Sequence, residues 1–213
     1  MEVITEPPAC FKVSNQRKYG GMTCLIEGDV SSASYFFLAA ALCRGRVRVQ
    51  PVSLETLQGD IRFLQVLEQL GSKVRRGQGW VEVVGGKPVY GEMVFDLGDM
   101  PDMVPTLAIL GACRPARTII KNVAHLRIKE SNRLEALVKE LTKTGIQIQE
   151  LEDGLMIEGG RPQGAEIETY NDHRMAMSFA VLGLKVPGIK IKDPGCVQKS
   201  FPGFWEELNK LYA

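Results

Sequence analysis

Histidine is almost absent from this chain: His125 and His173 are the only two among 213 residues. The five cysteines, Cys10, Cys24, Cys43, Cys113 and Cys196, are odd in number and scattered, with no CxxC pair. So thin a supply of imidazole and paired thiolate argues against a zinc centre, and the odd count argues against a disulfide framework. Their small and apolar neighbours predict buried free thiols in a reducing compartment. An excess of either charge is missing too. Lys and Arg number 26 against 25 Asp and Glu, so a net +1 offers no global field to draw nucleic acid or a membrane surface. No apolar run reaches the ~18–20 residues of a membrane-spanning helix, and the opening MEVITEPPACFKV has no basic region followed by an apolar one. The expectation is a soluble, cytoplasmic protein in which any anion site is local.

What the chain does have is 45% hydrophobic residues, enough for real cores, and a length that suits one large domain or two small ones. Its order of patterns repeats. TCLIEG reads as a strand, SSASYFFLAAALC as a buried helix, GRVRVQPV as a strand, DIRFLQVLEQLG as an amphipathic helix closed by Gly71, and KVRRGQGWVEVVGG as a hairpin turning near residues 77–79. EMVFDL, MPDMVPTLAILGA, RTIIKNV, ESNRLEALVKELTKTG and IQIQELEDGLMIEGG repeat that order, and AEIETY, HRMAMSFAVLGL, IKIKDPG and FPGFWEELNKLY begin it again without the hairpin. The marker aspartates Asp29, Asp99 and Asp172 recur at intervals of 70 and 73 residues, so one supersecondary unit is used repeatedly. Such units are α/β in class and bury a common core by turning helices inward. Residues 1–20, with Pro7, Pro8 and the polar SNQRKYGG, suggest strand fragments and a turn; residues 85–91 suggest a hinge.

Each unit's first helix starts with different chemistry: Ser31 and Ser32, then Asp102, then Arg174. The serines read as ordinary N-caps and Asp102 as a first-turn acid. Arg174 is harder to assign to structure alone, because a cation at the positive end of an apolar helix calls for an anion. Residues 125–133 read HLRIKESNR and lead into an amphipathic pattern over 134–144. Lys129, Glu130 and Arg133 stand one and four apart, which on a helix gathers two cations and an acid over the first turn. That arrangement favours a phosphate or carboxylate ligand, with Glu130 placed to move a proton beside it. Taken alone, the stretch also reads as a solvated charge run. His125 and His173 fit capping or packing as well as any ligand role, Tyr35 fits a core aromatic, and Lys199 fits a loop lysine.

GDVSSASYFFLAAAL, LQGDIRFLQVLEQLG, MPDMVPTLAIL, LRIKESNRL, TYNDHRMAMSFA and DPGCVQKSFPGFWEEL together resemble the C-terminal half of the 5-enolpyruvylshikimate-3-phosphate synthase family, the 3-phosphoshikimate 1-carboxyvinyltransferases. KESNR and YNDHRMAM set the resemblance apart from the related UDP-N-acetylglucosamine enolpyruvyl transferases. The resemblance implies repeated βαβαββ units of the enolpyruvyl transferase fold, an inside-out α/β barrel. It implies transfer of the enolpyruvyl group of phosphoenolpyruvate to the 5-hydroxyl of shikimate 3-phosphate, a step of the shikimate pathway, with no metal or organic cofactor. By that resemblance Asp102 accepts the hydroxyl proton with Lys129 close by, and Glu130 protonates the methylene carbon and later removes a proton from it. Arg133, Arg174 and Lys199 clamp phosphoenolpyruvate. Ser31, Ser32, Tyr35, Asp102, His125 and Lys129 bind shikimate 3-phosphate, His125 standing where the family often has an asparagine.

The chain departs from the family in having no GSKS-type stretch, NAGTA-like loop or SSQ motif ahead of residue 20. Residues 1–76 are therefore expected to be the end of an otherwise missing first globular domain, and residues 77–213 a second domain of two units, the last truncated. Such a half-built cleft is expected to bind weakly and catalyse little without the N-terminal half, or self-association, to complete it. The alternative is a non-catalytic anion-binding or self-associating domain of the same fold.

Overall fold

The computed structural model describes residues 3–6, 10–13, 20–24, 26–53 and 55–212. Pro7, Pro8 and most of the SNQRKYGG stretch lie outside them. Strands β1 (Val3–Glu6) and β2 (Cys10–Val13) pair antiparallel. The first unit then runs α1 (Val30–Cys43), β3 (Arg46–Val49), α2 (Phe63–Gln69), β4 (Lys73–Gly77) and β5 (Trp80–Val84). The second is β6 (Met93–Asp96), α3 (Val104–Ala112), β7 (Arg117–Lys121), α4 (Arg133–Lys143), β8 (Gln147–Glu150) and β9 (Leu155–Glu158), and the third is β10 (Glu166–Ile167), α5 (His173–Gly183), β11 (Lys190–Ile191) and α6 (Phe204–Asn209).

Alternation explains the sheets. In the order β3-β5-β4, Val47 faces Val83 and Val49 faces Val81 across the ladder, and both β5 valines are fully buried. Arg46 and Arg48, one residue out of phase, are exposed, as a period of two requires. The second sheet, β6-β7-β9-β8, adds a parallel strand, β6, beside β7. Helices α1, α3 and α5 are apolar nearly all round, so they pack against one another at the centre while the sheets and amphipathic α4 cover them. Each fully buried Leu, Phe or Val there contributes about 1.5–3 kcal/mol.

The structure bears on four expectations. The strand expected over 23–28 does not form: Gly28 N–H donates to the Pro51 carbonyl (3.1 Å), but no ladder follows. A strand is stabilised by a neighbour, and among the described residues nothing pairs with that side of β3. Gly28 is needed at this approach, since a Cβ would stand 2.0 Å from the Pro51 oxygen. The same lack of packing exposes Cys24; Cys10 and Cys43 are exposed as well, Cys113 is half-buried, and only Cys196 is the buried thiol that its neighbours predict. The division placed after residue 76 falls inside β4, and one apolar core runs across it from Val30 to Leu208. The segment expected as a hinge is held by buried Arg114, which donates to the carbonyls of Val89 (3.1 Å) and Gly91 (2.6 Å).

Candidate active site

Two of the marker aspartates are helix caps. Asp29 accepts from the backbone N–H groups of Ser31 (3.0 Å) and Ser32 (3.2 Å) at the start of α1, and Asp172 accepts from that of Arg174 (2.9 Å) at the start of α5. Asp99 instead pairs with Arg62 (3.2 Å), and Asp102 stands on the 3-10 turn Pro101–Met103 that leads into α3. The positive ends of three packed helices thus turn to one place.

There, Arg133 is the hub. It is 1% exposed, the first residue of α4, and its guanidinium donates from Nε to Asp172 (2.8 Å), from Nη1 to Asp102 (2.9 Å) and from Nη2 to Glu130 (2.7 Å). Arg174 Nη2 takes the second oxygen of Asp102 (2.7 Å), and its Nη1 approaches the Tyr35 hydroxyl (3.4 Å). Lys199, on the 3-10 turn Pro194–Lys199, reaches the second oxygen of Glu130 (2.9 Å). Ser131 Oγ donates to Asp172 (3.0 Å). Three cations therefore interlock with three carboxylates drawn from four segments far apart in the sequence. Arg133 spends all three nitrogens on them, whereas Arg174 Nε is buried without a partner among the described residues and Lys199 is mostly exposed.

The environment sets the protonation states. The Lys199 hydrogen bond, aided by Arg133 and opposed by partial burial, holds the Glu130 carboxyl down at about 2, so it is ionised at neutral pH. Burial pushes the Tyr35 phenol up to about 12 despite Arg174 beside it, and burial with the neighbouring Arg174 lowers His173. Asp60 is raised by burial, against the hydrogen bond from Ser31.

Of the residues singled out in the sequence, Asp102, Glu130, Arg133, Arg174, Lys199 and Tyr35 are brought together. Ser31 gives its hydroxyl to Asp60 and Ser32 gives its hydroxyl to Asp29, so both are engaged with carboxylates of the chain itself. Lys129 and His125 are exposed with no hydrogen-bond or ion-pair partner among the described residues. Lys129 and Glu130 do not share the first turn of α4 with Arg133. Asn132 caps that helix by accepting from Glu135 N–H (3.3 Å), so the two residues lie ahead of it. Asp172 and Asp60 are the site residues that sequence reasoning missed. The signal for Asp172 was its place as the cap of an arginine-bearing helix; Asp60 carried none.

A family model described as EPSP synthase (3-phosphoshikimate 1-carboxyvinyltransferase) matches residues 2–208. The 3-phosphoshikimate 1-carboxyvinyltransferase of Nostoc punctiforme is 46% identical over 211 residues, 99% of this chain and 49% of that protein. Its namesake from Syntrophobacter fumaroxidans is 48% identical over 200 residues, 92% and 46% of the two chains. The solved EPSP synthase of Acinetobacter baumannii superposes with a TM-score of 0.81 at 30% identity, over 98% of this chain and 51% of that one. The chain spans about half the length of the curated relatives it matches.

Proposed function

This chain belongs to the EPSP synthase family, and from that premise we propose that it carries one side of a cytoplasmic site for enolpyruvyl transfer from phosphoenolpyruvate to the 5-hydroxyl of shikimate 3-phosphate. The observation that carries the reading is the interlocked set Asp102, Glu130, Arg133, Arg174 and Lys199. Arg174 and Lys199 keep free N–H donors and receive the phosphate and carboxylate of phosphoenolpyruvate; Arg133, with each of its nitrogens already bonded to a carboxylate, aligns the two acids. The 5-hydroxyl oxygen forms a bond to C2 of phosphoenolpyruvate as its proton passes to Asp102 and Glu130 gives a proton to C3. Phosphate then leaves from C2, carrying away the proton that Asp102 accepted, as Glu130 takes a proton back from C3 and the double bond is regenerated. Glu130 is ionised in the free chain. When phosphoenolpyruvate draws Lys199 away, the main stabiliser of that carboxylate is lost, its proton affinity rises, and it takes from solvent the proton that it gives to C3.

The other side of the cleft comes from the remaining half of such a synthase. Thr56 donates to Glu27 (2.6 Å), which sets Ile26 (80% exposed) and Leu57 (100% exposed) on adjacent segments as apolar surface for it. The described residues between 30 and 208 share one core and act as a single body against that partner. The test is phosphate release from the two substrates, measured with this chain alone and mixed with a separately produced remaining half of a related synthase. Turnover in the mixture that disappears in Arg174→Ala and Lys199→Ala is expected. A mixture that stays silent, with no substrate binding dependent on those two residues, sinks the reading.

A further inference from the structure

Helix α4 grips residues 168–172 at two points. Its first residue, Arg133, bonds Asp172. Seven residues on, ~10 Å along the axis, Glu140 is fully buried and accepts from the Glu168 backbone N–H (2.9 Å) and the Tyr170 hydroxyl (2.7 Å). Lys143 closes over both of its oxygens from the solvent side (2.8 and 2.7 Å). A fold tolerates a buried carboxylate only when it is paired and bonded in this way. The segment so held is strained. Tyr170 and Asn171 both have φ of 55°, the left-handed region that residues other than glycine seldom adopt, and two in succession persist only where the surroundings over-determine them. The bonds from Glu140 fall on one of these residues and on the residue two before it. The chain then passes directly into Asp172, which holds Arg133 and Ser131, and into Arg174.

We propose that Glu140, acting through Tyr170, is a positioning residue of the site: it fixes the left-handed pair 170–171 and thereby aims Asp172, Arg133 and Arg174. The identity of the ligand rests on the enolpyruvyl-transfer reading; the aiming of the two arginines does not. Glu140 touches no reacting atom, being two helical turns from Arg133.

The experiment uses the full chain, Tyr170→Phe, Glu140→Gln and a destabilised control, Ile157→Val, in buried β9. Nitrogen-15 NMR follows the Arg133 and Arg174 Nε–H signals, and calorimetry follows phosphoenolpyruvate binding well below each melting temperature. Tyr170→Phe is expected to shift both arginine signals and to weaken phosphoenolpyruvate by about tenfold or more, while Ile157→Val leaves both readouts in place. Glu140→Gln, if folded, is expected to move them the same way. Unmoved arginine signals in Tyr170→Phe, or equal changes in Ile157→Val, overturn the proposal. Should the unaltered chain bind no phosphoenolpyruvate through Arg174 and Lys199, the functional reading falls and the NMR comparison still decides the positioning.

Discussion

Glu130 stays ionised down to about pH 2 because Lys199 is bonded to it, and this makes its proton affinity a property of two residues. Replacing Lys199 by Met removes the largest cause of the shift. The Glu130 carboxyl is then expected to titrate closer to the ordinary ~4.3 of a glutamate, which carbon-13 NMR of the labelled carboxyl follows directly. The same pairing has a sign in stability. A carboxyl whose folded value is lowered stabilises the chain above its unfolded value and loses that contribution as pH falls through the folded one. The advantage of the unaltered chain over Glu130→Gln in urea unfolding is therefore expected to be full at pH 7, to shrink below ~4.3 and to vanish near 2. A gap that stays constant over this range would mean that Lys199 does not hold Glu130 in solution. At this scale the sequence was legible where charge stood at odds with its local structure, as with Arg174 at a helix start. It was not legible for Asp172, because one carboxylate serving as both a cap and an arginine partner needs Arg133 brought 39 residues back to it.

Between elements, Asp172 joins α4 to α5. It is fully buried, caps α5 through Arg174 N–H and bonds Arg133, itself 1% exposed. Asp172→Asn keeps the shape and the cap but leaves a buried guanidinium short of the one fully buried carboxylate among its three partners. Breaking a buried pair from one side costs about 3–5 kcal/mol, against about 1 kcal/mol for a cap alone. Urea unfolding of Asp172→Asn, which retains the cap, is expected to show the larger loss; a loss near zero would reduce Asp172 to a cap. Periodicity located the elements well, since α1, α3 and α5 are apolar on all faces and α4 on one. Their ends were less legible. Asn132 outcompetes the preceding residues as the cap, so α4 starts at Arg133, and the stretch read as a strand over 23–28 joins no ladder among the described residues. Alternation reports which way side chains point, and pairing is a property of another segment.

For the whole molecule, the inward packing of α1, α3 and α5 places their N-termini, and hence the charged set, at one end of a shared core. In the function proposed for the chain, that end is one wall of a cleft. The repeat of 70 and 73 residues made this architecture readable, but it could not reveal that the core continues through β4, because periodicity marks units and not the contacts between them. Leu57, fully exposed beside the Glu27–Thr56 bond, separates folding from assembly. A leucine fully exposed among the described residues loses little when it becomes aspartate, so Leu57→Asp is expected to change the chain's own stability by less than about 0.5 kcal/mol. If the remaining half of a synthase docks there, the same change leaves a carboxylate against an apolar surface with no partner, a cost of at least 1–3 kcal/mol and so roughly a five- to hundredfold weaker association. Analytical ultracentrifugation of the mixture, run beside thermal unfolding of the chain alone, reads the two effects separately. Weakened association with unchanged unfolding places the interface at residues 26–57. Undiminished association would move the interface elsewhere, while a lowered melting temperature would show that Leu57 packs within the chain in solution.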